Sequence, residues 1–227
     1  MIKEIYFVRE TGLETYSGFR DRILQAARKV DQLFKPIVLS VTLTEEKPPL
    51  LSVIPFRRGK IAAFSMKREE GQPLPMLVEL EGFDSVNRVE EALPVAYTKT
   101  WPDGERTPGI CLLTLFRKRK NIDYQTFLDR WHNSHTPLSL RIHPLWHYSR
   151  NVVNEIPSAN GIRWDGIVEE HVRTRRDLLN PFRFFGKPHV VLARMLHVLT
   201  DTRSFIDYPS METWLVQEYI FRNGEIE

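Results

Sequence analysis

Apolar and polar positions alternate with two different periodicities in the first half of the chain. Alternating, β-branched runs predict strands, and apolar residues three or four positions apart predict helices. Strands are predicted at residues 2–8, 37–43 and 60–67, with a short one at 94–101, and helices at 15–34 and 83–93. Irregular connections are predicted at residues 47–58, 71–75 and 102–109, because proline or glycine is frequent there.

The same order of elements begins again after residue 109. Strands are predicted at residues 110–117, 145–153, 161–171 and 214–221, with a polar turn at 157–160 and helices at 123–140 and 174–185. Residues 191–199 are a further apolar run. The second half therefore repeats the pattern of the first.

The two halves overlay with a shift of 108 residues. Tyr16, Phe19, Asp21, Arg22 and Pro36 then fall on identical residues. The matching residues are Tyr124, Phe127, Asp129, Arg130 and Pro144. This predicts an α+β fold of tandem ferredoxin-like βαββαβ repeats, each of about 110 residues, closed into one intrachain barrel. The predicted units are a degenerate repeat at residues 1–102 and a second repeat at 109–227.

The helix predicted at residues 124–140 carries a histidine on its apolar side. His135 falls on the same stripe as Phe127 and Trp131, and His132 lies at its edge. The equivalent positions of the first repeat are Ala27 and Leu24, and all seven histidines lie in the second half. A buried imidazole can serve acid–base chemistry or only packing, and this asymmetry favours the functional interpretation of His135.

Composition narrows the class of protein. A net charge of +3, with basic clusters at predicted turns, gives no reason to expect nucleic-acid binding. No apolar run is long enough to cross a membrane, and the single Cys111 lies in an apolar strand, so a cytoplasmic protein with a buried thiol is expected. Aromatic residues make up 11% of the chain, enough to line a pocket for a flat apolar ligand.

Four motifs of the second half resemble, in order, those of EthD-domain proteins, which are named for ethyl tert-butyl ether degradation. The helix at residues 127–138 is similar to the family's F-x-x-x-W-x-x-x-H-x-P-L pattern. Residues 147–151 are similar to its R-Y-x-x-N strand, 164–169 to its D-G-x-x-E strand, and 200–207 to its D-x-x-R-F-I-D segment. The resemblance implies the dimeric α+β barrel superfamily. EthD proteins usually form that barrel by dimerising, whereas this chain can form it internally.

Candidate catalytic residues are His135, His132, Asp165 and Tyr148. Asp165 can orient the imidazole of His135, and Tyr148 can donate to a developing oxyanion. The alternatives are that Asp165 only shapes a bulge and that Tyr148 only fills the core. Candidate substrate-binding residues are Trp131, Phe127, Trp146 and Phe184. Residues 179–189, which include Phe184, are either a cap over the pocket or a plain surface helix.

Neither a metal nor another cofactor is expected. His132 and His135 are spaced i, i+3 on a helix, which is compatible with a metal, but the spacing indicates no third ligand. Some relatives in the barrel superfamily use haem, yet no histidine here matches a haem motif. The sequence also lacks a phosphate-binding or dinucleotide fingerprint and a nucleophile motif.

The leading functional hypothesis is a cofactor-independent lyase, isomerase or cyclase. Its substrate is expected to be a hydrophobic small molecule, aromatic or polyketide-like, and His135 its general acid or base. This chemistry is what the family resemblance implies, and cofactor-free oxygenation is a sub-case. The alternative is a protein that binds an apolar small molecule without turning it over. In either case the chain is expected to act without a nucleic-acid or membrane partner, as a monomeric barrel or a homodimer.

Overall fold

The computed structural model describes residues 1–70, 76–155 and 163–224. The predicted loop at 71–75, the turn at 157–160 and the first two residues of the strand predicted at 161–171 lie outside this part of the chain. The described strands are β1 (Ile2–Arg9), β2 (Val38–Leu43), β3 (Ile61–Arg68), β4 (Phe83–Val95), β5 (Ile110–Phe116), β6 (Leu145–Glu155), β7 (Gly166–Val172) and β8 (Glu212–Asn223).

These strands form a closed barrel in the order β1-β3-β2-β8-β5-β7-β6-β4, and all neighbours are antiparallel. Closure pairs β2 with β8 and β4 with β6, so strands of the two halves hydrogen-bond to each other at both seams. A closed barrel has no exposed sheet edge. The predicted mixed α+β barrel within one chain is confirmed.

Helices cover the outside of the barrel. They are α1 (Tyr16–Phe34), α2 (Tyr124–Asp129), α3 (Thr136–Ile142), α4 (Arg175–Leu179), α5 (Pro181–Phe184) and α6 (Pro188–Arg203). A π-helical segment, Arg130–His135, joins α2 to α3, so the predicted helix at 123–140 is one continuous element with a widened middle. Short 3₁₀ helices lie at Met76–Glu79 and Tyr208–Ser210. The helix predicted at 174–185 is divided at Asn180, which ends α4 and caps α5.

The helix predicted at residues 83–93 is wrong, because this segment is most of β4. Phe83, Val86 and Val89 are three residues apart and imitate a helical stripe. In the barrel the polar side chains of Asn87 and Glu91, on the same strand, point inward and are buried or nearly so. In this strand, polar residues therefore face the barrel interior and not the solvent. The strand predicted at 94–101 is also wrong, since β4 ends at Val95.

The barrel wall separates an interior from two outer layers. Side chains of seven strands, such as Phe7, Leu113 and Ile167, pack together inside. Outside the first half, Phe19 and Ile23 of α1 pack against the sheet, and outside the second half Trp131 does the same. Alternation along each strand therefore sends neighbouring residues to opposite compartments. No helix of the described residues is long and apolar enough to span a bilayer.

Candidate functional site

A cavity of about 160 Å³ lies on the outer face of the second half, between the sheet and the helices. Most of its wall is apolar and includes Trp131, Phe184 and Phe205. Residues 53–55, from the loop between β2 and β3, complete the wall, so both halves of the chain contribute to it. The cavity has the character of a site for a small hydrophobic molecule.

The helix that carries the predicted histidines changes its winding beside this cavity. Asp123 starts it by accepting a hydrogen bond from the Thr126 N–H at 2.8 Å. At the end of the π-helical segment, both the N–H and the hydroxyl of Thr136 donate to the carbonyl of Trp131, five residues earlier. A π-helical turn holds an extra residue and re-aims the side chains that follow it. His135, at this point, lines the cavity.

His135 is held between two side chains at the cavity wall. Its Nδ1 lies 2.7 Å from Oδ2 of Asp201 in α6, and its Nε2 lies 3.1 Å from Oγ of Ser139 in α3. Ser134 donates to Oδ1 of Asp201 at 2.6 Å. Burial opposes ionisation of Asp201, but the hydrogen bonds from His135 and Ser134 hold its pKa below the usual value. The charged Asp201 favours the Nδ1–H tautomer of His135, which leaves Nε2 to accept from the Ser139 hydroxyl.

This Ser139–His135–Asp201 chain has the connectivity of a serine–histidine–aspartate relay. Ser139 is completely buried and also lines the cavity. It lies inside a helix, where backbone N–H groups already bond to carbonyls of the preceding turn. The helix therefore offers no free N–H pair for an oxyanion hole, and the relay is better suited to polarising the Ser139 hydroxyl than to acyl transfer.

Glu170 of β7 brings a carboxyl group into the same cavity. Its side chain is 8% exposed and has no hydrogen-bond partner among the described residues. Burial raises the pKa of Glu170 to about 7, and protonation of nearby His135 acts in the opposite direction. A carboxyl group with this pKa is close to half ionised at neutral pH, which is the condition for a general base or acid.

His143 closes one side of the cavity without taking part in the relay. Its ring stacks on Phe184 with centroids 4.0 Å apart, and its Nδ1 lies 3.1 Å from the carbonyl oxygen of Phe184. Burial lowers the pKa of His143 to about 4, so the ring is neutral at pH 7 and its Nδ1–H donates to that carbonyl. This contact fastens Phe184, a predicted substrate-binding residue, to the helix that carries His135.

Several predicted site residues are brought together here. His135, Trp131 and Phe184 line the cavity. Phe127 lies behind them, with its ring centroid 5.5 Å from that of Trp131, and it is fully buried in the cluster that supports the wall.

Other predicted residues lie elsewhere. The predicted pairing of Asp165 with His135 is wrong: Asp165 accepts from the backbone N–H of Lys118 at 2.8 Å, and Asp201 is the carboxylate partner of His135. Tyr148 is buried against Trp131, and burial raises its pKa. His132 is not among the residues that line the cavity, and burial, together with the charge of Arg150, lowers its pKa.

Trp146 stands apart from the cavity. It packs against Tyr97, with ring centroids 4.9 Å apart, beside the linker between the two halves.

Sequence reasoning missed three residues of the site: Ser139, Glu170 and Asp201. A signal for Asp201 was available, since it lies in the fourth motif at residues 200–207. Glu170 follows directly after the D-G-x-x-E motif. The sequence does not reveal how this strand is oriented, so it cannot distinguish whether Glu169 or Glu170 faces the helices. Ser139 gave no signal, because the π-helical segment offsets the helical wheel on which its position was judged.

Comparison with solved structures finds the same fold. An anthrone oxidase-like protein superposes with a TM-score of 0.61 and 11% sequence identity, covering 99% of this chain and 94% of the other. A candidate monooxygenase from Fusobacterium nucleatum superposes with a TM-score of 0.56 and 10% identity, covering 99% and 95%. At these identities the likeness shows the fold alone. No protein-family model and no curated protein matches this chain, so the EthD resemblance rests on the sequence motifs.

Proposed function

We propose that the protein is an enzyme that removes a proton from a hydrophobic, aromatic small molecule. The observation that carries the proposal is Glu170, a buried carboxyl group with a pKa of about 7 and no described partner, facing an apolar cavity. An unpaired buried carboxyl group destabilises the folded protein. Such groups are expected where they serve a function, here the binding of a substrate that gives up a proton.

Glu170 is the general base in this scheme. It takes a proton from a carbon next to, or conjugated with, a carbonyl group, and the bond electrons delocalise onto the carbonyl oxygen as an enolate. When the substrate binds, Ser139 turns its single hydroxyl hydrogen from Nε2 of His135 to that oxygen; before binding, His135 and Asp201 hold the hydroxyl in place. His135 thus has a positioning role in this scheme, and the general base is a carboxylate that the sequence did not reveal. The proton transfer itself calls on no cofactor.

The fate of the enolate defines the reaction class. Reprotonation elsewhere gives an isomerase, and attack on a second carbonyl or loss of a leaving group gives a cyclase or lyase. The neighbours described as an anthrone oxidase-like protein and a monooxygenase support oxygenation. Anthrone carries a methylene conjugated with a carbonyl, and its reaction with one O₂ converts the methylene to a carbonyl and releases one water. The deprotonated substrate supplies the four electrons.

The same proposal extends to the architecture. We infer that residues 1–102 and 109–227 are tandem ferredoxin-like repeats, the second of them related to EthD domains. Strand order supports this: β4-β1-β3-β2 in the first half matches β8-β5-β7-β6 in the second. Only the second half retains the cavity with its histidine relay, in keeping with a degenerate first copy. The barrel closes within one chain, so the site does not depend on a homodimer.

Proton abstraction is tested separately from oxygenation by deuterium exchange. Anthrone or 2-tetralone is incubated with the protein in D₂O without oxygen, and loss of the methylene signal is followed by proton NMR. The expected result is exchange faster than in buffer, lost in Glu170→Gln and reduced in His135→Ala while ligand binding is retained. Binding without exchange in the wild type would support the non-catalytic alternative instead. A second run in air, with O₂ uptake measured, then distinguishes oxygenation from isomerisation.

A further inference from the structure

The interior of the barrel holds a second chamber, on the opposite side of the sheet from the cavity with Glu170. One end of the interior is filled with apolar side chains. The other end is polar and encloses a volume of about 300 Å³, lined by residues of both halves. Most eight-stranded barrels of this kind fill their interior or hold one small ligand. The polar end is not filled by side chains, so it is a candidate site for a small ligand.

The charges in the chamber are unevenly paired. Lys3 and Lys67 both bind Glu91, with Nζ to carboxylate distances of 2.6 and 2.7 Å. Glu169 and Glu218 also face the chamber, and neither has a lysine or arginine partner in the part of the chain that the structure describes. Lys99, at the rim, is paired with Asp103 outside. The two inner lysines thus face three glutamates, which leaves one negative charge in excess among the described residues when all three glutamates are ionised.

The two glutamates accept hydrogen bonds only from hydroxyl groups. Thr42 donates to Oε1 of Glu169 at 3.2 Å, and Tyr97 and Thr107 donate to Oε2 of Glu218 at 2.6 and 2.8 Å. Burial raises the pKa of Glu169 to about 7, with Lys3 acting against it, and burial also raises the pKa of Glu218. The second oxygen of each carboxyl group has no hydrogen-bond donor among the described residues.

A third acceptor stands beside them. His171 is 2% exposed, and its Nε2 is buried without a hydrogen-bond partner, 3.9 Å from Oε1 of Glu218. Burial lowers the pKa of His171 to about 3, so its ring is neutral at pH 7 and adds no positive charge. In the tautomer protonated on Nδ1, Nε2 accepts a hydrogen bond. A buried polar atom left unpaired in this way indicates a missing partner, which is a donor when the ring is protonated on Nδ1.

We propose that the chamber binds a small primary amine in its ammonium form, with the head group among Glu169, Glu218 and His171. A primary ammonium carries one positive charge and three N–H donors, which match the excess charge and the three free acceptors. Its carbon chain points to the mouth of the chamber, where Leu93 and Ile220 provide apolar surface. Carboxylate–ammonium hydrogen bonds in a buried site are strong because water does not compete for them.

Titration calorimetry with n-butylammonium chloride tests the proposal. The wild type is expected to bind, and Glu169→Gln and Glu218→Gln are each expected to weaken binding by about tenfold or more, since each removes a charge-assisted bond. Glu170→Gln is the matched control: it removes the neighbouring charge on the other face of β7, and binding should stay within about twofold. Absence of binding by the wild type, equal binding of sodium acetate, or full binding by Glu169→Gln would each overturn the proposal.

A second readout requires no variant. In the wild type, the ring proton resonances of His147 and His171 are expected to shift as n-butylammonium is added, because His147 lines the chamber and His171 lies against both His147 and Glu218. The resonances of His135, on the outer side of the sheet, should remain in place. Shifts at His135 but not at His171 would place the amine in the wrong compartment and refute the assignment.

Discussion

Glu169 and Glu170 are neighbours in β7, yet their carboxyl groups are buried in different compartments. Glu169 faces the barrel interior, and Glu170 faces the cavity under the helices. Burial raises the pKa of each to about 7. Substitution of Glu169 therefore changes the barrel interior, and substitution of Glu170 changes the outer cavity, although the two residues are adjacent in one strand.

Replacing Glu170 by glutamine should abolish most of the proton transfer while preserving the shape of the cavity. Loss of a positioned general base costs about 10²- to 10⁴-fold in rate. We expect kcat/KM for deuterium exchange of the bound ketone to fall by that factor. Glu90→Gln, which alters an exposed carboxylate on β4, is the control and should retain the wild-type rate. An unchanged rate in Glu170→Gln would remove Glu170 from the mechanism.

The pH dependence of the reaction should follow the ionisation of Glu170. Only its carboxylate form accepts a proton, and its pKa is raised to about 7. We therefore expect kcat/KM to rise with pH and to level off above neutrality. Initial exchange rates measured in a series of buffers give this profile. A rate that falls as pH increases would instead indicate that the protonated form of a residue is the active one.

Asp201 is expected to act as a positioning residue through His135. Asp201→Asn keeps the size of the side chain but removes the charge that holds the Nδ1–H tautomer. We expect kcat to fall by at least about tenfold with little change in KM, and the downfield Nδ1–H resonance of His135 to be lost. Asp165→Asn is the matched control, because within the described residues the side chain of Asp165 accepts only from the backbone N–H of Lys118. If the two variants behave alike, the contact with Asp201 is merely structural.

The order of elements in the second half could be predicted from the sequence, because each apolar face there packs against another element in the usual way. The prediction failed at β4, where Asn87 and Glu91 face the inside of the barrel. Such a strand presents its polar residues to a polar interior, and no pattern in a single segment reveals that a closed barrel will surround it.

The candidate site was predictable only in part. His135 stood out because the repeat has Ala27 in its place, and Trp131 lay on the same stripe. Its partner Asp201 is 66 residues away, and long-range pairs of this kind are set by how helices cross rather than by spacing. Asp165 was the attractive choice in sequence, but its carboxylate is used by the turn after β5.

The contribution of Glu170 to stability should decrease as pH rises through the acidic range. A carboxyl group whose pKa is raised by folding binds its proton more tightly in the folded state, so folding is favoured at low pH. For Glu170 the shift from 4.5 to about 7 corresponds to about 3 kcal/mol lost between those values. The free energy of unfolding is measured by urea denaturation at about pH 5 and pH 8, and going from pH 5 to pH 8 should be less favourable to the wild type than to Glu170→Gln. An equal change in both would show that Glu170 ionises normally.

Gly166 should be intolerant of any side chain, because two buried rings occupy the space. A Cβ at this position would lie 2.4 Å from Cζ of Phe116 and 2.8 Å from Cη2 of Trp131, and both rings are almost completely buried. We expect Gly166→Ala to lower the free energy of unfolding by about 1–3 kcal/mol, measured by urea denaturation. Adding Phe116→Leu creates room and should recover part of the loss in the double variant. If Gly166→Ala is as stable as the wild type, Phe116 and Trp131 do not pack against β7 at Gly166, and the two rings do not form this part of the cavity wall.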